Sequence, residues 1–143
     1  MSTVNDILTA TLARAAAIEG VTTAIKRSRQ FRDEELPAVA VHREATEKAA
    51  EARGLLGGIY QVEVTVAVEY HKLAETEDPS AEAEQMVIDV IQAVELPEEL
   101  YQEFTWEPLT WERDEVALPD AAGQAIAVEV TFITRFHRGY GAP

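Results

Sequence analysis

Three histidines, His42, His71 and His137, are the side chains here best suited to titrate near neutrality or to bind a metal. Each falls at the end of an apolar or alternating run. No two stand four residues apart, so the HExxH spacing of a zinc enzyme is absent. A three-histidine site would require three strand ends to converge, and ordinary surface histidines are expected instead. Ser2, Ser28 and Ser80 lie in polar surroundings, outside any GxSxG turn that would activate a serine nucleophile. Gly54, Gly57 and Gly58 lack the lysine and hydroxyl residue of a phosphate loop. Trp106 and Trp111 could flank a sugar or aromatic ligand, although paired strand tryptophans more often anchor a core or an interface. The inventory points away from catalysis. No enzyme, cofactor or metal is expected.

The charge distribution supports that direction. The net charge is −14, which argues against a nucleic-acid binder, since phosphate contacts need a positive surface. The excess is concentrated: residues 73–115 hold 14 acidic side chains and one basic one, Arg113. With carboxylates so frequent there, no single pair marks an acid–base centre. The segment reads as a solvated face, or more sharply as a surface that repels nucleic acid or meets a basic partner. There is no cysteine, hence no disulfide, thiolate metal site or cysteine nucleophile, a composition compatible with a reducing cytoplasm. No apolar stretch approaches the ~20 residues that span a bilayer, and the N-terminus lacks a signal pattern.

The elements that must position any site follow from periodicity. A length of 143 residues suits one domain. Over residues 3–19, Val4, Ile7, Leu8, Thr11, Leu12, Ala15 and Ile18 form a helical stripe that Gly20 can end. Residues 21–31 are β-branched and then basic, and read as a strand or a short helix. The basic block 26–32 could meet phosphate, but Asp33, Glu34 and Glu35 behind it favour a solvated hairpin. Pro37 suits the start of a strand over 36–43, apolar on both faces. A connection over 44–58 follows, long enough to suggest a flexible or functional loop. From Tyr60 to Tyr70 the even positions are apolar or aromatic and the odd ones largely polar, the period of a long strand with one face buried. Asp78-Pro79-Ser80 opens a second helix over 79–95, its stripe packing on that strand's valine face. Residues 104–113 read as a strand with Pro108 at a bulge or sheet edge, 116–124 as a loop, 124–136 as the last strand, and 137–143 as a loose tail. The expected fold is α+β: an antiparallel or mixed sheet of four to five strands with two helices packed on one side.

The run LPAVAV (36–41), the long strand YQVEVTVAVEY (60–70), the acid-started helix and the two closing strands, in this order and spacing, resemble the tail terminator proteins of long-tailed bacteriophages. This is the family of the lambda-type minor tail protein U, and the likeness covers nearly the whole chain. Each motif is weak alone; their order, spacing and total length carry it. The resemblance implies a non-enzymatic virion protein. It would form a six-membered ring that caps the head-proximal end of the tail tube, stops its polymerisation and offers a docking surface to the head. Implied partners are copies of itself, the major tail tube protein and a head-completion or connector protein, with DNA passing the lumen unbound and no membrane. Assembly would take place in the host cytoplasm. Candidate contacts are Arg53, Leu55 and Leu56 in the glycine-flanked loop, and Arg135, Arg138 and Tyr140 at the end of the chain. Leu55 and Leu56 either tuck into the core or await a partner. The basic block 26–32 has no counterpart in the family pattern. Two alternatives stand beside this reading: another head–tail connector or neck protein, and a small ligand-binding domain using the two tryptophans.

Overall fold

In a computed structural model, residues 3–27, 30–48, 59–95, 106–119 and 124–139 are described. They form helix α1 (Thr3–Ala16), strand β1 (Thr23–Ile25), a 3-10 turn at Asp33–Glu35, strands β2 (Ala38–Lys48) and β3 (Ile59–Leu73), helix α2 (Pro79–Val94), and strands β4 (Thr110–Ala117) and β5 (Ala125–Gly139). The five strands lie in the order β1-β2-β3-β5-β4, with β1 parallel to β2 and the other pairs antiparallel. The sheet is mixed, both helices share one face, and the fold is α+β as the periodicity indicated.

Period-two alternation decides which face is buried. Val62, Val64, Val66, Val68 and Tyr70 of β3 join Val128, Val130, Phe132 and Phe136 of β5 in one core with the helical stripes. In the helices, Val4, Ile7 and Ala15 face this core from α1, and Ala83, Met86, Val87, Val90 and Val94 from α2. The first helix lies mainly over β2, whereas α2 lies more over β5 than over β3. Arg14 ties them together, donating to the Val94 carbonyl at the end of α2 (3.3 Å), where the helix leaves acceptors free.

Residues Ala38, Val39, Ala40 and Val41 are fully buried. Pro37 precedes β2, and its carbonyl accepts from the Thr22 amide (2.9 Å), continuing the parallel pairing with β1. Three boundaries differ from expectation. Strand β2 does not end at Arg43 but runs to Lys48, because a bulge at Glu44 resets its register and lets Thr46 and Glu47 pair with Val64 and Glu63. Strand β5 continues through 137–139, paired with the start of β3. The edge segment starts with an isolated bridge, Trp106 to Phe136, and becomes regular only after Pro108, extending to Ala117 where a loop was expected. Its bulge lies between Trp111 and Arg113, not at the proline.

Helix α2 begins as its sequence dictates: the Asp78 side chain accepts from the Ala81 amide (3.1 Å), with Pro79 in the first turn. The Glu82 carboxylate reaches back to the Glu75 amide (2.8 Å) and the Thr76 amide (3.1 Å). The Glu75 amide does most to favour the charged form and, against the opposing effect of desolvation, holds the Glu82 carboxyl below its ordinary value with the help of the Thr76 groups. A lowered folded-state value means that Glu82 stabilises the fold above the unfolded carboxylate value and loses that contribution as pH falls through the lowered one. Glu82→Gln should therefore lower the melting temperature at pH 7, and the two proteins should converge in acid. A difference that persists unchanged into acid would contradict this.

Candidate functional site

Among the described residues, two surfaces of the sheet are not covered by a helix, and both follow from the topology. The first is the outer edge, β4. Every residue of this strand except the half-buried Asp114 is exposed. Trp111 is 48% exposed, Val116 44% and Leu118 48%, a concentration of large apolar groups unusual for an edge. Trp111 pairs with Phe132 and Val116 with Val128, both core residues, so these two lie on the helix side of the sheet, where they nonetheless stay exposed. Trp111 is anchored at both ends: its amide donates to the Glu95 carboxylate (2.5 Å) and its indole Nε1 to Asp114 (3.2 Å).

The second is the sheet face opposite the helices. Its centre carries small residues, with Ala40, Ala67 and Thr131 buried. The Glu44 to Arg113 ion pair (2.7 Å) links β2 to β4, which stand three strand spacings, roughly 14 Å, apart. At one end of this face, Arg135 meets its cross-strand partner Glu63 at 3.1 Å. At the other end, Glu69, Glu129 and Glu115 stand directly opposite one another on β3, β5 and β4. Like charges in one rung repel. Histidines flank Glu69 from the adjoining rungs, His71 Nε2 at 3.1 Å from Oε1 and His42 Nδ1 at 3.4 Å from Oε2. The Phe31 ring packs against His71 with centroids 5.0 Å apart. Burial, then the charges of Glu69 and Glu44, push the Glu129 carboxyl above its ordinary value; His42 pulls the other way.

The sequence-predicted residues separate accordingly. Arg135 is engaged with Glu63, which makes it part of the open face rather than of a free tail. Arg138 lies within β5. Arg53, Leu55, Leu56 and Tyr140 lie outside the described residues. His42 and His71 come together, but His137 pairs with Gln61, ten residues along β3 from His71 and so roughly 33 Å away. The tryptophans do not flank one pocket: Trp106 packs against the core, while Trp111 stands exposed at the edge. The basic block is partly spent locally. Lys26 donates to Asn5 (2.7 Å) and Thr9 (2.9 Å) of α1, and Arg32 lies 3.5 Å from both Glu34 and Glu35.

No family model and no curated protein matches the chain. Solved structures do. A chain from the virion of a native gene transfer agent particle aligns over 92% of both chains, with a TM-score of 0.53 and 13% identity. A second chain, whose designation carries no functional description, aligns over 99% of both with a TM-score of 0.54 and 14% identity. A third, described as the sheath/tube terminator of an extracellular contractile injection system in its extended state, covers 98% of this chain and 58% of its own at 12% identity. Its TM-score of 0.42 is too low to argue from. At such identities the likeness establishes a shared fold.

Proposed function

We propose that this chain is a structural virion protein of the tail-terminator class. Copies of it form a ring, six-membered by the sequence resemblance, that caps the head-proximal end of a phage-type tail tube. The ring ends tube polymerisation and presents a surface to a head-completion protein. The observation that carries this reading is the fold, shared over 92% of both chains with a chain of a gene transfer agent virion. The edge strand β4 supports it. As the outer strand of the sheet, with Trp111, Val116 and neighbouring Leu118 exposed, it suits pairing with a second copy, and repetition of one such contact around an axis closes a ring. The net charge of −14 favours passage of DNA without adhesion. Membership of the lambda-type subdivision rests on the sequence resemblance alone. The role is non-enzymatic, located in the virion tail and assembled in the host cytoplasm.

The test is to polymerise tail tube protein with and without this chain and image the products. Tubes that stop growing and carry density at one end are expected. Unchanged, overlong tubes with bare ends would overturn the reading.

A further inference from the structure

Strand pairing gathers His42, Glu69 and Glu129 so that one ligand-type atom from each lies within 4.8 Å of the other two. None of these residues is near another in sequence. We propose that they form a binding site for a divalent transition-metal cation of the Zn2+ type on the open face of the sheet. Three observations carry this. First, His42 Nδ1 and Glu69 Oε2 are both buried, and neither has a hydrogen-bond partner among the described residues. Buried polar atoms left in this state call for an explanation, an unplaced ion among them. Second, those two atoms are 3.4 Å apart, close to the roughly 3.3 Å edge of a tetrahedron with metal–ligand bonds of about 2.0–2.1 Å. Third, among the described residues the glutamate rung makes no ion pair with a lysine or arginine. At the opposite end of the face Arg135 neutralises Glu63, whereas Glu69 has histidines as its ion-pair partners and faces Glu129 directly.

The surroundings fit the same use. His71 Nε2 at 3.1 Å from Glu69 Oε1 holds that carboxylate with Oε2 turned toward His42, the kind of outer contact that orients a metal ligand. Glu69, Glu129, Glu115 and His71 border a cleft of about 230 Å³, room for the remaining coordination positions to be filled by water. An imidazole with two carboxylates selects Zn2+ and its neighbours over Mg2+ and Ca2+, which prefer oxygen donors throughout.

The untagged full chain, stripped with chelator, would be titrated with ZnCl2 by calorimetry, with Co2+ absorption reporting coordination by nitrogen. One saturable equivalent per chain is expected, with a rise in melting temperature. Glu129→Gln and His42→Gln should each weaken binding at least tenfold while still melting cooperatively, and His137→Gln should bind as the parent does. Glu129→Gln relieves repulsion in the rung and keeps side-chain volume, so it separates loss of metal from loss of fold. No saturable binding, binding retained in both variants, or equal competition by Ca2+ would overturn the proposal. Since no tail tube takes part, the result is independent of the terminator reading.

Discussion

Replacing Phe132 by alanine is expected to cost about 3–5 kcal/mol, the range for removing a large aromatic from a close-packed core. Phe132 is fully buried, and its register neighbours are Val66 on β3 and Trp111 on β4. Domains of this kind are stable by only about 5–15 kcal/mol, so the loss takes a large share of the total. At roughly 3–4 °C per kcal/mol, the melting temperature should fall by roughly 10–20 °C. The adjoining Ile133 provides the contrast. It lies on the open face opposite Thr65 and Thr110, so Ile133→Ala should cost much less. Equal losses at the two positions in thermal and urea melts would mean that the helices do not cover the face to which they are assigned here.

The second large effect concerns assembly rather than stability. Val116→Lys combined with Leu118→Lys places two charges on an edge whose side chains are already 44% and 48% exposed. Substitutions at such positions usually change stability by no more than about 0.5 kcal/mol each, so the monomer should melt as before. Between copies the same charges would face each other across a closing interface, and lysine on an edge strand is a natural device against strand pairing. Loss of the ring at unchanged melting temperature is expected, read by native mass spectrometry. A ring that persists would move the subunit contact off β4. Trp111→Ala should weaken assembly as well, because tryptophans at the centre of an interface commonly dominate its energy.

Sequence alone made the buried face of the sheet legible, and for a physical reason. The valines of β3 at 62, 64, 66 and 68 alternate without a break, and a period of two has one structural solution. The stripe of α2 was equally plain, from its cap at Asp78 to Val94. What could not be read was pairing. The bulge at Glu44 interrupts the alternation of β2, which made its second half resemble a loop. The cluster of His42, Glu69 and Glu129 draws on three strands, and only their register unites it. One signal was nonetheless present. Glu69, His71 and Glu129 all fall on the polar parity of their strands, so they had to share the open face once β3 and β5 paired. The exposed edge was hidden for a similar reason: Trp111 and Val116 have core-type parity on β4, and nothing in the sequence says that they stay exposed on the helix side.

The most direct test of the central claim is the mass of the purified chain across a concentration series, alone and mixed with tail tubes. A hexamer is expected, either in isolation or on addition of tubes. A monomer at every concentration, unaltered by tubes, would contradict it.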